Sequence, residues 1–272
     1  MATRLGEMMP RSSSELRIEP TTKRIRAFLG GKPLVDSERA LLVWEPRRVV
    51  PAYAVPRADI RGAIDEQPER RALPRADFDR IPEWHPGIPF AVRETGGHEV
   101  AVSPPSSDRR VSAFVADDPD LADYVILDFA GFDEWREDDD PIISHPHSPF
   151  WRIDIRNTLR IIRISLFDEI LAETSAGRLL YETGLPVRFY LPKEHVRVEL
   201  LPSETVTLCA YKGTAQYYSP IVAGVPKKDL AWSYERPLID AQNVKGYIAF
   251  FNERVDILID GVARPRPVTH WS

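Results

Sequence analysis

Cysteine is almost absent from this sequence of 272 residues, which contains only Cys209. One thiol allows no intrachain disulfide and no zinc site built from several thiolates. The sequence also lacks any apolar run near the roughly 20 residues that a membrane-spanning helix needs. Its N-terminal segment has no apolar core typical of a secretory signal. We therefore expect a cytoplasmic protein without metal or cofactor.

Glycine is scarce relative to proline, with 14 glycines against 25 prolines, which favours short strands and fixed turns over long helices. Neither sign of charge dominates, since the net charge is −5. This balance indicates no broad surface for nucleic acid or for an acidic membrane. A content of 43% hydrophobic and 28% charged residues is typical of a soluble globular protein. The length is sufficient for two domains, and the oligomeric state stays open.

One segment of the sequence is written twice: residues 34–45 (LVDSERALLVWE) are similar to residues 171–182 (LAETSAGRLLYE). A chain that repeats itself is best understood by comparing its copies. Four further pairs of segments follow in the same order, namely Tyr53–Pro56 with Tyr190–Pro192, Ala113–Pro119 with Ala231–Pro237, Tyr124–Leu127 with Tyr247–Phe250, and Arg152–Ile155 with Arg254–Ile257. We interpret the chain as two copies of one unit.

The repeat predicts the domain organisation. We expect a flexible tail at 1–22, a first copy at 23–155, a second copy at 156–262 and a short tail at 263–272. The first copy carries two insertions, residues 62–97 and 135–150. The first insertion is charged and Pro-rich, typical of a surface excursion. The second overlaps an acidic run over residues 117–140, with eleven acidic residues against Arg136 alone, which is typical of a solvated face.

Most segments alternate with period two or form short β-branched runs, as strands do. Gly30-Gly31 and Phe167-Asp168 lie at matching places between two such runs, so both are predicted to be hairpin turns. Helix-like stretches are few, namely Asp118–Tyr124, Phe132–Glu137 and Leu238–Val244. The predicted fold is mainly β, with two duplicated small antiparallel β domains and few short helices.

Three ordered motifs in the second copy carry a resemblance to a known family. They are Glu182–Pro192 (ETGLPVRFYLP), Thr207–Gly213 (TLCAYKG) and Ala231–Pro237 (AWSYERP). With Val244–Gly261 they resemble the bacterial and fungal family catalogued as domain of unknown function 427, also labelled nucleotidyltransferase-like. The first copy resembles the degenerate partner in tandem members of that family.

The resemblance implies a β-tent domain, in which two antiparallel sheets lean together around a pocket, and it implies no established activity. Related β-tent domains often hold a structural zinc between two pairs of cysteines, which a chain with one cysteine cannot build. The family motif usually reads Cys-Pro-Tyr-Lys-Gly, whereas Ala210 replaces the proline here. The local geometry of that turn is therefore expected to differ from the family pattern.

Cys209 and Lys212 are the candidate catalytic residues. A nearby cation stabilises a thiolate, and the Cys-x-x-Lys spacing brings an ammonium within reach of the thiol. Against this, a lone cysteine in a β core is more often a small buried hydrophobe, and no histidine has the spacing of a base. If the pair forms the site, removal of either side chain should abolish ligand binding and leave the melting temperature nearly unchanged.

The second copy is unusually rich in aromatic residues, which predicts a pocket with polar tips that orient a ligand. Strand alternation places Trp232 and Tyr234 on one face. The first copy has Phe114 and Ala116 in their places and no counterpart of Cys209. The predicted ligand-binding residues are Arg188, Tyr190, Tyr211, Gly213, Tyr217, Trp232, Tyr234 and Glu235. Residues present in both copies, namely Glu45 with Glu182, Trp44 with Tyr181 and Tyr53 with Tyr190, are assigned to the common fold.

We predict that the second copy binds a small polar or anionic molecule, with Arg188 and Lys212 on its anionic groups and Glu235 as an acceptor. The alternatives are a cysteine-dependent enzyme and a non-catalytic interaction module. Nucleotidyltransferase-like activity is the weakest alternative, because the Gly-Ser element and spaced Asp pair of such enzymes are absent. His145 and His147 lack a third metal ligand at diagnostic spacing, so a hydrogen-bonded turn is predicted. The expected partner is a small molecule, not nucleic acid or membrane.

Overall fold

The computed structural model of the chain describes residues 13–67, 85–105 and 107–272. The chain divides into two compact units, the N-terminal unit Met1–Ser148 and the C-terminal unit Pro149–Ser272. Both are built mainly from antiparallel strands, which confirms the predicted fold class. No helix in these ranges is long and apolar enough to cross a membrane. Residues 1–12 of the predicted tail and 68–84 of the first predicted insertion lie outside the described residues.

The strands of the N-terminal unit are β1 Arg17–Pro20, β2 Ile25–Leu29, β3 Lys32–Ser37, β4 Leu41–Trp44, β5 Ala52–Pro56, β6 Ala63–Glu66, β7 Gly97–Ser103, β8 Val111–Ala116, β9 Tyr124–Leu127, β10 Glu134–Glu137 and β11 Asp140–Ile142. The strands of the C-terminal unit are β12 Ile153–Thr158, β13 Ile162–Leu166, β14 Glu169–Thr174, β15 Gly177–Glu182, β16 Arg188–Leu191, β17 Leu200–Cys209, β18 Gly213–Val222, β19 Val225–Pro226, β20 Ala231–Ser233, β21 Ile248–Phe250, β22 Asp256–Ile259 and β23 Val262–Arg264. Short 3-10 helices lie at Arg57–Asp59, Pro119–Leu121, Phe129–Gly131, Lys193–His195 and Ile239–Val244.

The two units have the same strand order in both of their sheets. The large sheet runs β1-β4-β5-β9-β8-β7-β6 in the N-terminal unit and β12-β15-β16-β21-β20-β18-β17 in the C-terminal unit, where β19 also pairs with β18. The small sheets run β11-β10-β2-β3 and β23-β22-β13-β14. Position by position, each strand of one unit except β19 therefore has a topological counterpart in the other.

The strand pairings correct the last predicted match of the repeat, Arg152–Ile155 with Arg254–Ile257. Residues 153–158 form β12, the first strand of the C-terminal unit, which pairs with β15 as β1 pairs with β4. Strand β22 pairs with β13, and β10 pairs with β2. Because β13 and β2 hold equivalent places in the two small sheets, β10 is the counterpart of β22. The unit boundary therefore lies at residue 148, not 155.

The second predicted insertion and its helix-like start were also wrong. Glu134–Glu137 is a strand that alternates between half-buried and buried residues, and Trp135 is enclosed in the core. Pairing with β2 decides its conformation, and this long-range contact is not visible in the local sequence. The hairpin β10–β11 is thus a regular element of the unit, equivalent to β22–β23.

Both predicted tails contain ordered structure. Strand β1 begins at Arg17, within the predicted tail 1–22, and pairs with β4. At the other end, β23 pairs with β22, and Trp271 packs against the core of the C-terminal unit. Edge strands with one solvated face have few apolar residues, so their sequences resemble tails.

The large sheet of the N-terminal unit is buried on both faces. One face packs on the small sheet in a cluster that includes Tyr53 and Trp135. The other face carries Ala54 and Phe114, with Phe90 packed against them. Phe90 belongs to the insertion predicted as a surface excursion. Because it covers the sheet, the described end of that insertion is part of the fold.

Glu137, at the end of β10, is a buried carboxylate of this unit. It accepts hydrogen bonds from the Tyr53 hydroxyl at 2.6 Å and from His147 Nδ1 at 3.2 Å, and it forms an ion pair with Lys23. Burial alone would raise the pKa of Glu137, but the hydrogen bonds from His147, Lys23 and Tyr53 outweigh it and lower the pKa to about 2. The other predicted histidine, His145, contacts the Pro146 carbonyl through its Nδ1 at 2.8 Å.

We expect the N-terminal unit to lose stability in acid through this group. The pKa in the folded state lies below the ordinary value of 4.5, so the stabilisation is complete above about pH 5 and is lost as the pH falls toward 2. Glu137→Gln should lower the free energy of unfolding at pH 7 by up to about 3 kcal/mol and flatten that acid limb. Urea unfolding across this pH range measures both effects. The exposed Glu38→Gln should behave as wild type, and equal behaviour of the two variants would refute the expectation.

Candidate functional site

Most of the predicted site residues lie on one face of the large sheet of the C-terminal unit. Tyr190 pairs with Ala249, Ala249 with Trp232, and Trp232 with Tyr217. Residues directly opposite each other on paired strands point to the same side of the sheet. Arg188 shares this face, because it precedes Tyr190 by two residues on the same strand.

Tyr190 is at the centre of this face. Its hydroxyl accepts a hydrogen bond from the Trp232 indole N–H at 3.1 Å, and the two rings meet edge to face. Tyr190 and Tyr234 are both buried. Burial raises the pKa of both phenols, and Glu182 and Cys209 act on both in the same direction. Both hydroxyls therefore stay protonated and are able to donate.

Cys209 is the last residue of β17, and Lys212 lies in the tight connection between β17 and β18. Cys209 pairs with Gly213 across the turn. Gly213 has a φ of +96°, and a Cβ there would lie 3.2 Å from the backbone nitrogen of Leu238, so the position requires glycine. Ala210, which replaces the family's proline, is fully buried. The Cys209 side chain is half-buried at the edge of the site.

The Lys212 ammonium forms an ion pair with Glu182, and the two side chains are only 11% and 8% exposed. Its charge is therefore already neutralised within the site. This arrangement differs from the prediction that Lys212 holds an anionic group of a ligand. A buried lysine requires such a partner, because an unpaired charge is costly to bury.

Arg188 is also fully engaged. Its guanidinium makes two hydrogen bonds to Glu253, at 2.7 and 2.9 Å, and the two side chains are 8% and 0% exposed. The Thr269 hydroxyl donates to the same carboxylate at 2.8 Å, and the guanidinium lies 5.1 Å from the Trp271 ring centroid. Burial would raise the pKa of Glu253, but the hydrogen bonds from Arg188 outweigh it and lower the pKa. Arg188 thus organises the site. Both of its terminal nitrogens donate to Glu253, so the pair is not available to bind an anionic ligand.

The remaining predicted residues lie at the margin. Glu235 is exposed and accepts a hydrogen bond from the Ser233 hydroxyl at 3.1 Å. This contact confirms that Ser233 and Glu235 share the face opposite Trp232. Tyr217 is half-buried, with its hydroxyl 3.2 Å from that of Thr207, and Tyr211 is buried in the β17–β18 turn.

The sequence argument missed Glu182 as a site residue, because a glutamate occurs in both copies and was assigned to the fold. It also missed Glu253 and Trp271, the partners of Arg188. Their contacts join residues far apart in the chain, and no local pattern marks them. The requirement that a buried cation has a carboxylate partner could have pointed to Glu182.

The N-terminal unit has an ion pair at the equivalent place. Leu41 pairs with Ala54 in the N-terminal unit, and Arg178 pairs with Tyr190 at the same place in the C-terminal unit. Leu41 and Arg178 are therefore equivalent, and so are Glu45 and Glu182, which follow them by four residues. Glu45 pairs with Arg93 at 2.8 Å, with side chains 7% and 9% exposed. Arg93 comes from the β6–β7 connection, just as Lys212 comes from the β17–β18 connection. Burial raises the pKa of Glu45, although the positive charge of Arg93 opposes the shift.

The same register corrects the predicted equivalence of Tyr53 and Tyr190. Leu42 pairs with Tyr53, and its counterpart Leu179 pairs with Phe189. Tyr53 therefore matches Phe189, and Tyr190 matches Ala54. A shift of one residue moves a side chain to the other face of the sheet, so the two tyrosines have different surroundings.

The two phenols and the indole N–H of the C-terminal site, unlike its ion pair, have no counterpart at the equivalent positions of the N-terminal unit. Ala54 stands at the position of Tyr190, Phe114 at that of Trp232, and Ala116 at that of Tyr234. The space over Phe114 holds the guanidinium of Arg93, 3.9 Å from the ring centroid. The fold therefore forms without the two phenols and the indole N–H.

In the part of the chain that the structure covers, no group of three or more His, Cys, Asp or Glu side chains is arranged to hold a metal ion. Residues 154–261 match the family model described as domain of unknown function (DUF427), which confirms the resemblance carried by the three motifs. No curated protein matches the chain.

Proposed function

We propose, from the premise that residues 154–261 belong to the domain of unknown function 427 family, that the C-terminal unit binds a small polar ligand. The site comprises Tyr190, Trp232, Tyr234, Cys209 and the Lys212–Glu182 pair. The N-terminal unit is proposed to be a related copy in tandem, which the shared strand order supports. We also propose that both units are β-tent domains, because each consists of one large and one small antiparallel sheet.

One observation carries this proposal. Two phenols and an indole N–H stand on a single sheet face, whereas alanine and phenylalanine fill the same positions in the N-terminal unit. The N-terminal unit fills these positions with apolar side chains alone, so the fold itself does not require polar groups there. The Trp232 N–H meets the Tyr190 hydroxyl, and we propose that the O–H groups of Tyr190 and Tyr234 serve to donate to a ligand.

The charges favour a neutral polar ligand over an anionic one. Lys212 and Arg188 are each paired with a buried carboxylate, so an anion would have to displace Glu182 or Glu253. The protonated phenols and the ion-paired groups instead offer several donors and acceptors of nearly neutral total charge. Hydroxyl, amide or carbonyl groups would satisfy them.

The test is a saturation-transfer NMR screen of the full chain against a defined mixture of polyols, sugars, amides, carboxylates and phosphates. We expect transfer to at least one neutral polar compound. The variant with Tyr190→Phe and Tyr234→Phe, which keeps the rings, should weaken that binding about tenfold or more. Tyr247→Phe, a hydroxyl deletion on a ring packed against Arg178, is the control. Binding that survives the double change would contradict the proposal.

A cysteine-dependent reaction is the second candidate, because the half-buried Cys209 thiol lies beside two protonated phenols. Its rate of alkylation by iodoacetamide at pH 7, compared with that of glutathione, separates the two functions. Fast modification favours a nucleophile, and a rate at or below that of glutathione favours simple binding.

Nucleotidyl transfer and a pure interaction role have less support. The carboxylates of Asp256, in β22, and of Asp260, in the turn after β22, could serve nucleotidyl transfer, but they form ion pairs with Arg266 and Arg160. The acidic run 117–140 includes strands β9 and β10 of the N-terminal unit, so part of it serves the fold. We therefore keep a small molecule as the proposed partner.

A further inference from the structure

A cavity of about 460 Å³, open to solvent, lies on the C-terminal unit. Its lining joins the β13–β14 turn, the segment after β19 and the residues around the start of β22. The lining residues are Leu166, Phe167, Asp168, Lys227, Leu230, Glu253, Arg254, Asp256 and Arg266. This volume is within the range of small-molecule sites, and the lining excludes Cys209, Lys212 and the tyrosines of the proposed ligand site.

Phe167 at this cavity is a poor residue for its backbone position. Phe167 and Asp168 form the tip of the β13–β14 hairpin with φ values of 52° and 65°. The equivalent tip between β2 and β3 is Gly30-Gly31, with φ values of 62° and 73°. A left-handed conformation is unfavourable for a bulky L-residue and free for glycine. The ring is also 70% exposed, so neither the turn nor the core explains this phenylalanine.

Two cations face the same cavity without carboxylate partners among the residues that the structure describes. The Lys227 ammonium lies 5.1 Å from the Phe167 ring centroid, and the Arg254 guanidinium donates to the Lys228 carbonyl. The other charges are already paired, since Arg266 binds Asp256 and Glu253 binds Arg188. Two positive groups and one exposed carboxylate, Asp168, are left to meet a ligand.

We propose that this cavity is a second binding site, for a small monocarboxylate with an aromatic or aliphatic body. The carboxylate lies between Lys227 and Arg254, where charge-assisted hydrogen bonds hold it. The apolar body packs on the exposed ring of Phe167. Asp168 at the rim disfavours a dianion such as phosphate, because like charges repel at short range.

Phenylacetate is the probe, with acetate and inorganic phosphate as comparison ligands, each titrated into the full-length chain and followed by NMR chemical shifts. We expect phenylacetate to bind at least tenfold more tightly than acetate or phosphate. Lys227→Ala should weaken it about tenfold. Lys228→Ala removes the same charge from a neighbouring residue outside the lining and should leave the affinity unchanged.

Phe167→Gly separates binding from folding. Glycine suits the left-handed turn, so the melting temperature should rise by about 2–4 °C, while the preference for phenylacetate over acetate should disappear. The site would be refuted by equal affinities for the three probes in wild type, by an equal effect of Lys227→Ala and Lys228→Ala, or by undiminished phenylacetate binding in Phe167→Gly. None of these outcomes depends on the tyrosine site, whose variants are different.

Discussion

Replacing Lys212 with methionine should lower the free energy of unfolding of the C-terminal unit by about 3–5 kcal/mol, the usual cost of breaking a buried ion pair. Glu182 would be left as an unpaired carboxylate with an 8% exposed side chain. A buried charge without a partner is costly, so the loss should be large. Urea or thermal unfolding of the full chain measures it.

Two further variants make the result specific. Lys212→Met combined with Glu182→Leu removes both charges and should recover most of the lost stability, because a hydrophobic pair of similar volume is tolerated. Lys245→Met, at an exposed lysine of the same unit, should have little effect. An unchanged melting temperature in Lys212→Met would show that the pair is not needed for folding, as the sequence alone had suggested.

Replacing Arg93 with methionine should have the corresponding effect on the N-terminal unit, again about 3–5 kcal/mol. The variant loses the ion pair to Glu45 and the stacking of the guanidinium on Phe90 and Phe114, at 4.4 and 3.9 Å from the ring centroids. Burial already raises the pKa of Glu45, and without Arg93 it should rise further. A carboxyl with a raised pKa is favourable to fold at low pH and loses stability as the pH rises through that pKa. The deficit should therefore shrink toward pH 5.

The control for this change is an arginine in an exposed ion pair. Arg109, paired with Asp133, has a side chain that is 50% exposed, so Arg109→Met should cost less than about 1 kcal/mol. Arg93→Met combined with Glu45→Gln should remove the pH dependence. Equal losses in Arg93→Met and Arg109→Met, or a deficit independent of pH, would contradict the assignment of a buried pair.

Much of the fold was predictable because strands and turns leave local signals. The hairpin turns at Gly30 and at Phe167 were both predicted and both formed, and the helical turn Ile239–Val244 lies within a predicted stretch. Register was not predictable, because it depends on which strand pairs with which. A one-residue slip was enough to equate Tyr53 with Tyr190 wrongly.

In the candidate site, too, the features set by local sequence were predictable and those set by long-range contacts were not. Trp232 and Tyr234 were placed on one face because strand alternation is a local rule, and they do share the face that carries Tyr190. The charge state of the site was not accessible in this way. Arg188 and Lys212 were taken as free cations, yet Glu253 is 65 positions from Arg188 and Glu182 is 30 from Lys212. Only the folded chain shows that each cation is already neutralised.

The equivalent acids Glu45 and Glu182 receive their cations from connections of very different length. In the C-terminal unit, three residues between β17 and β18 suffice, whereas the β6–β7 connection is an order of magnitude longer. The buried glutamate that needs a positive partner is thus fixed in the sheet. The connection is free to vary as long as one of its positive side chains reaches that glutamate. Such interchangeable loops would let a lineage lengthen or shorten this corner of the domain, and so remodel the surface beside the site, without redesigning the strands beneath it.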